Sequence, residues 1–445
     1  MTADTPHAQP VRALPANDAL REILHDEIHA RPPARIRLPA FVVYVAVLNE
    51  GVSREQELHH LRQLPGQADL PLSALSANFV RLRFADHTLK WERHTEFTRY
   101  SIVQALPDAA LFGGDEAELI KSLVVEPAWL ASIPGRTVAA IMMAMVHGDV
   151  DDHVAMRKLA EPWFDGRETV ASLLGIRRSC AITDFHLRDS GFERLLVISP
   201  GNTSELRAGR TSQRLLELET YRLMALRGLP IAKELGATLT ESEAQLAEIT
   251  ALMESTEASD QDLLTQLIHL AARIERATAT HMYRFSATRA YYNLVEQRIE
   301  QLREAAIPGT QMVGEFLLKR LSPAMTTVQA TAQRLAALSQ RIERASGLLR
   351  TRVDIVTETQ NQMLLEKLTK GQELQLRLES TVEGLSIAAI SYYVISLVLY
   401  AGKAAKAVGL PINPEMLAGA LIPVVLAGIW WATRQIHKKL KASQD

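Results

Sequence analysis

The sequence is poor in the features that mark several common protein classes. It contains a single cysteine, Cys180, which excludes an intrachain disulfide and favours a reducing compartment. Its 49 basic and 51 acidic residues give a net charge of −2, so we expect no nucleic-acid partner. The opening "MTADTPHAQPVRALP" lacks the basic start and apolar core of a signal peptide. Phosphate-binding glycine loops and the G-x-S-x-G nucleophile elbow are also absent from the sequence.

Two long segments near the C-terminus contain no charged residue, namely Leu385–Ala401 and Met416–Thr433. Each approaches the roughly 20 residues that a helix needs to cross the hydrocarbon core of a bilayer. A pair of buried helices in a soluble protein is the alternative interpretation. We predict instead a two-helix transmembrane hairpin within residues 385–433, with spans at 385–402 and 416–433.

Basic residues predict the orientation of this hairpin. They are concentrated on its two flanks and are rarer in the connecting loop, where only Lys403 and Lys406 occur; the flanking residues are Lys367, Lys370, Arg377, Arg434, Lys438, Lys439 and Lys441. Because cytoplasmic segments carry the excess of Lys and Arg, both termini are predicted to be cytoplasmic. We therefore expect a multi-pass protein of a cytoplasmic membrane, with the bilayer as a partner and a basic cytoplasmic tail at residues 434–445.

The remaining chain divides by its periodicity. After a disordered N-terminus (1–16), residues 17–200 mix β-branched runs with short amphipathic segments, which predicts an α+β domain with a mostly antiparallel sheet. Residues 201–384 have helical periodicity, with helices predicted at about 204–227, 231–257, 259–305 and 311–383. We predict a long antiparallel helical or coiled-coil stalk there.

A coiled-coil seam is predicted within the last of these helices. Its apolar residues step by 3 and 4 and the register then slips near Val353 and Val356; the seam residues are Leu335, Leu338, Ile342, Ala345 and Leu349. Such a seam needs a partner, either the preceding helices or a second copy. We expect both, and hence a homo-oligomer.

The motif "HDEIH" places His25 and His29 four residues apart, as in zinc protease helices. A zinc protease would need Glu at position 26, where this chain has Asp, and a third ligand soon afterwards. Glu27 and Arg31, one helical turn apart, form the more interesting pair. We include both in a candidate functional polar cluster.

The stretch "KWERHTEF" supplies the rest of that cluster. If it is one strand, Glu92, His94 and Glu96 share a face, and two carboxylates beside an imidazole can bind a cation or orient a base. The alternative is a solvated strand face with cross-strand ion pairs. We favour this alternative.

The stretch "HGDVDDH" offers a candidate metal site of His147, Asp149, Asp151 and His153, and a divalent cation is the cofactor that it suggests. Its aspartates can equally cap a helix that starts near His153, and this is the interpretation we favour.

The first transmembrane segment carries a stripe of small and polar residues at helical spacing: Ser386, Ala389, Tyr393, Ser396 and Tyr400. It predicts helix packing, or the lining of an aqueous path in an oligomer.

Six blocks of the chain resemble, in order, segments of the bacterial DUF3422 family: "DEIHARP", "LKWERHTEF", "GRTSQRLLELETYRLMALRGLP", "RFSATRAYYNLVEQRI", "LLRTRVD" and "TVEGLSIAAISYYV". The resemblance covers about residues 17–440. Members of that family are described as uncharacterised and membrane-anchored, so the resemblance implies a membrane anchor and no particular reaction.

The layout also resembles CorA-type magnesium channels, which have a cytoplasmic α+β domain, a long helix, two spans and a basic tail. Their Gly-Met-Asn signature is missing from "YAGKAAKAVGLPINPE".

Three functions are therefore considered, in order of preference. The first is a non-enzymatic, membrane-anchored scaffold or sensor, the second a CorA-like ion channel or transporter, and the third a membrane-tethered metal-dependent hydrolase.

Overall fold

The structure is a computed structural model that describes residues 14–15, 17–22, 24–25, 32–111, 113, 115–255, 258–407 and 413–441. Its described residues divide into two compact units within residues 1–344 and 345–445. The eight described strands are β1 Ala40–Leu48, β2 Phe79–Arg83, β3 His87–Arg93, β4 Phe97–Ala105, β5 Arg136–His147, β6 Val170–Leu174, β7 Ser179–Thr183 and β8 Glu193–Ser199. The described α-helices are α1 Arg54–Arg62, α2 Asp108–Leu111, α3 Glu116–Lys121, α4 Pro127–Ala131, α5 His153–Ala160, α6 Glu205–Leu226, α7 Gly228–Glu254, α8 Asp260–Leu302, α9 Val313–Ala407 and α10 Pro414–Lys441.

One mixed sheet organises the first unit, with strand order β2-β3-β4-β1-β5-β8-β7-β6. All its described pairs are antiparallel except β5 with β8. Strand β1 lies in the centre because "AFVVYVAVL" is apolar throughout, and all nine of its residues are buried. A continuous apolar run is expected for a strand that is covered on both faces. The predicted sheet domain followed by long helices is confirmed.

The two faces of the sheet are covered differently. One face carries the main apolar core, where Phe41 and Trp91 pack with residues of the short helices such as Leu61 of α1 and Trp129 of α4. The other face packs against α6, which lies between the sheet and α8. Polar side chains are buried at this second face, as Tyr44 of β1 shows through its 2.7 Å hydrogen bond with Thr220 of α6.

Helices α7, α8 and the first part of α9 pack together within one chain. Arg334 of α9 binds Glu243 of α7 with an Nη2–Oε2 distance of 2.8 Å, and Tyr292 of α8 hydrogen-bonds to Ser322 of α9 at 3.0 Å. The predicted seam residues, from Leu335 to Leu349, are all buried. Exposure then rises, and Ile355 is 61 % exposed. The coiled coil and its register slip stay predictions.

The second unit contains two helical segments that are long and apolar enough, by length and composition, to cross a membrane. They lie in Val313–Ala407 and Pro414–Gln435, each with an 18-residue window of mean hydropathy 1.8 that is only 6 % buried. Ser391 and Gly402 of α9 and Ala418 of α10 are buried, and a Cβ on Gly402 would lie 3.2 Å from the Pro414 side chain. These small residues therefore mark the face on which α9 meets α10.

Candidate functional site

The charged face of the sheet is the densest polar cluster of the first unit. Alternation in β3 places Leu89 and Trp91 in the apolar core and turns Lys90 and Glu92 to the opposite face. Helix α6 covers that face, and Glu92 is fully buried. The favoured interpretation as a solvated strand face is wrong for this reason, although its cross-strand ion pair is present.

Glu92 is the first centre of this ion network. It accepts a short hydrogen bond from Nε of Arg99, its direct cross-strand partner on β4, and lies 3.0 Å from Lys90 Nζ. Burial alone would raise the pKa of the Glu92 carboxyl. The charges of Arg99 and Lys90 outweigh burial and lower that pKa to about 2.

Glu217 of α6 is the second centre and ties the helices to the sheet. Its Oε1 accepts from Arg99 Nη1 at 3.1 Å and from Gln213 at 2.8 Å, and its Oε2 accepts from Nε of Arg298 on α8 at 2.7 Å. Burial would raise the pKa of Glu217, but Arg99 and Arg298 lower it. Five charged side chains thus run from β3 through α6 to α8, with carboxylates and cations alternating.

The predicted trio of Glu92, His94 and Glu96 does not lie on one strand. The stretch "KWERHTEF" contains the end of β3, a turn at residues 94–96 and the first residue of β4. Glu96 binds Arg284 of α8 through a short ion pair, and the His94 ring stacks on Phe97 with centroids 4.5 Å apart. Because this turn separates the two strands, Glu92 and Glu96 lie apart and are bound by different cations, Arg99 and Arg284.

A second carboxylate pair lies farther along the same sheet face. Glu219 of α6 binds Nε of Arg222 through both oxygens, at 3.0 and 2.9 Å, whereas Glu193 of β8 is 3.6 Å from Arg222 Nη2. Burial and the neighbouring Glu219 raise the pKa of Glu193 to about 9. The raised pKa predicts that Glu193 retains its proton at neutral pH.

The residues of "HGDVDDH" are used mainly for local structure. Asp152 is the N-cap of α5 and accepts from the backbone N–H groups of Val154 and Ala155 at 3.1 and 2.9 Å. Asp149 accepts from the Asp151 N–H, and Asp151 is 3.1 Å from Arg177. In the part of the chain that the structure describes, no three His, Cys, Asp or Glu side chains are grouped to hold a metal ion. The capping interpretation is thus confirmed for Asp152, and the four predicted ligands are not brought together.

The remaining predicted site residues are not part of this network. Glu27 and Arg31 lie outside the residues that the structure describes. In the apolar part of α9, Tyr393 and Tyr400 are 68 % and 70 % exposed, and Ser386 and Ala389 are exposed too. The stripe therefore faces away from the packing face of Ser391 and Gly402. Packing against α10 does not explain it.

Sequence reasoning missed Arg99, Glu217 and Arg298. The signal in the sequence was that Glu217 stands between Leu216 and Leu218 in a stretch rich in leucine. A charged residue within a packed helix face needs a buried partner of opposite charge. In this network both carboxylates, Glu92 and Glu217, are paired with cationic side chains beneath α6. This arrangement serves to join the sheet to α6 and α8 in one orientation.

Comparison with known proteins gives one match. The family model described as "Protein of unknown function (DUF3422)" matches residues 16–440. No curated protein and no solved structure matches the chain. Since the matched residues are nearly the whole sequence, the chain belongs to the DUF3422 family.

Proposed function

We propose that this protein is a membrane-anchored, non-enzymatic scaffold or sensor that presents its sheet domain at the cytoplasmic surface of a bilayer. The observation that carries the proposal is the exposure of the two apolar helical segments, whose most apolar windows are 6 % buried. A helix that is mostly apolar, carries no charge and is not covered by protein is stable in lipid and unfavourable in water. The bilayer supplies the missing apolar surroundings.

The distribution of basic residues supports a hairpin with both termini in the cytoplasm. Exposed Lys367, Lys370 and Arg377 precede the first segment and Arg434 follows the second, while Lys403 and Lys406 lie between them. The larger positive charge stays on the cytoplasmic side. In this arrangement α9 and α10 cross the membrane in opposite directions.

The buried ion network supports a non-enzymatic role for the charged sheet face. General-base catalysis needs a carboxylate that reaches a substrate, directly or through one water. Glu92 and Glu217 are buried and already bound to Arg99, Lys90 and Arg298. Ion pairs of this kind stabilise one fixed arrangement of the sheet, α6 and α8, as a scaffold domain that presents its outer surface to a partner requires.

Self-association is supported by α9 between the seam and the membrane segment. This stretch exposes an unusual number of apolar side chains, which include Met363, Leu364, Leu365, Leu368, Leu374, Leu376, Leu378 and Val382, each between 58 % and 66 % exposed. Leu364, Leu368 and Leu378 lie near one helical face. Association of identical helices along this face would remove them from water.

Native mass spectrometry of the full-length protein in detergent tests self-association. We expect more than one subunit, and we expect L364Q/L368Q to weaken the assembly at least tenfold. The control is E366Q/K370Q, which has the same spacing in the same stretch and removes only an exposed 2.8 Å ion pair. A monomeric wild type, or equal weakening by both double substitutions, would contradict the homo-oligomer.

Ion conduction is a second candidate because the Tyr393 stripe faces away from α10. In a ring of subunits, Ser386, Tyr393 and Tyr400 would be available to line a central path. A count of five or more subunits in the same measurement would favour this function. A dimer would favour the scaffold.

A further inference from the structure

A pocket lined by five arginines lies in the first unit. Its volume is about 520 Å³, within the range of small-molecule sites, and it opens between α6, the β6–β7 turn and the end of α8. The arginines are Arg178, Arg207, Arg210, Arg214 and Arg303, and the only acidic lining residue is Glu300. The lining therefore carries a formal charge of +4.

Three backbone elements bring these arginines together. Arg207, Arg210 and Arg214 have the spacing i, i+3 and i+7, which places them on one face of α6. Arg178 follows the β6–β7 turn, and Arg303 follows α8 in the left-handed conformation, with φ 47°. Residues distant in sequence thus contribute to one positively charged wall.

The charge of these five arginines is not neutralised by the protein. Within the described residues, no carboxylate lies within 4.0 Å of any of their guanidinium groups. On the neighbouring sheet face, by contrast, Arg99 and Arg298 both bind Glu217. Burial, followed by the charges of Arg210, Arg298 and Arg303, lowers the pKa of Arg214. The charges of Arg210 and Arg303 thus act on Arg214, and an anion bound among them would offset this repulsion.

The pocket walls are connected by hydrogen bonds. Arg214 Nη1 donates to the Gln301 carbonyl at 3.1 Å, and the Gly175 N–H donates to the Leu302 carbonyl at 2.9 Å. In the turn itself, Ile176 and Arg177 have φ of 64° and 58°, a conformation that is costly for a β-branched residue such as isoleucine. The two hydrogen bonds hold the end of α8 to α6 and to the β6–β7 turn, which reduces the ordering that ligand binding must pay for.

We propose that this pocket binds a phosphate-bearing ligand, with Arg178, Arg207, Arg210 and Arg303 contacting the phosphoryl oxygens. Guanidinium groups match phosphate because their planar N–H pairs donate two parallel hydrogen bonds. A multiply charged anion also fits the net charge of the lining better than a single carboxylate does. The ligand is either a soluble phosphorylated compound or the headgroup of an anionic phospholipid. This inference is independent of the proposed membrane anchor, because every lining residue belongs to the first unit.

Isothermal titration of the full-length protein in a non-ionic detergent tests the proposal. One arm uses inorganic pyrophosphate and the other uses dioctanoyl phosphatidylglycerol, each at constant ionic strength set with sodium chloride. The test variant is R207Q/R210Q, and the control is R273Q/R276Q, which removes two arginines of the same spacing from the exposed side of α8. Arg214 is left in place because it binds the backbone of Gln301.

We expect at least one probe to bind, and R207Q/R210Q to weaken that binding tenfold or more while the control changes it less than twofold. The arm that binds identifies the source of the phosphate. R207K/R210K keeps the charge and loses the paired donors, so it should be intermediate, and it also serves if the glutamine variant does not fold. Absence of binding in both arms, or equal losses in R207Q/R210Q and R273Q/R276Q, would overturn the proposal.

Discussion

Replacing Glu92 by glutamine is expected to lower the free energy of unfolding of the first unit by about 3–5 kcal/mol, the usual cost of breaking a buried ion pair. The substitution leaves Arg99 and Lys90 buried without their shared carboxylate. The pKa of Glu92 gives a similar magnitude, because a decrease from 4.5 to about 2 corresponds to about 3 kcal/mol at neutral pH. This contribution is fully present above pH 4.5 and is lost as the pH falls towards 2.

Urea unfolding of the detergent-solubilised protein at pH 7, followed by tryptophan fluorescence, measures this effect. Trp91, Trp129 and Trp163 are buried in the sheet domain and report on its unfolding. The control is E50Q, which removes a carboxylate from an exposed ion pair with Arg136 and should cost less than about 1 kcal/mol. Equal effects of E92Q and E50Q would show that the network under α6 does not hold the domain together.

Replacing Glu193 by glutamine is expected to stabilise the protein increasingly as the pH rises. The folded-state pKa of Glu193, about 9, lies above its ordinary value of 4.5, so the folded protein binds this proton more tightly than the unfolded chain does. The associated stability is fully present below pH 4.5 and is lost as the pH rises towards 9. Glutamine resembles the protonated acid in shape and polarity and does not titrate. At pH 8.5 the variant should exceed the wild type by about 5 kcal/mol, because four pH units above 4.5 each remove about 1.4 kcal/mol.

The decisive readout for Glu193 is the difference in unfolding free energy between E193Q and wild type from pH 5 to pH 8.5. We expect this difference to be small at pH 5 and to grow with pH, while that for E50Q stays nearly constant. A difference that is independent of pH, or one that favours wild type at pH 8.5, would contradict a retained proton. The acid would then be ionised beside Glu219.

Local pattern was sufficient for most of the fold. The mixed pattern of residues 17–200 predicted the sheet domain, and helices α6, α7 and α8 were predicted within about three residues at each end. Helix α9 was predicted to end at residue 383, but it continues to Ala407 because the first apolar segment extends it without a break. Strand β6 was not predicted, because "VASLL" is short and no alternation distinguishes it from a helical segment. The hairpin within "KWERHTEF" was also missed, since a polar triplet is compatible with a strand face until the pairing of Glu92 with Arg99 is known.

The candidate site was less predictable, because its residues are joined only by tertiary structure. Glu92 was identified from its strand, but Glu217 and Arg298, which complete the network, come from two helices that meet only after folding. The arginine pocket combines α6 with the β6–β7 turn and the end of α8 in the same way. Spacing within one helix indicates a charged face and does not reveal what lies opposite.

The measurement that most directly tests the membrane-anchored account is the accessibility of single cysteines on either side of the first apolar segment. In a C180A background, K406C lies in the loop between the two segments and E366C precedes the first of them. With the protein produced in a bacterial host, a membrane-impermeant maleimide added to intact spheroplasts should label K406C alone. It should label E366C only after lysis. Equal labelling of both positions before lysis, or of neither, would contradict a hairpin that crosses the bilayer twice.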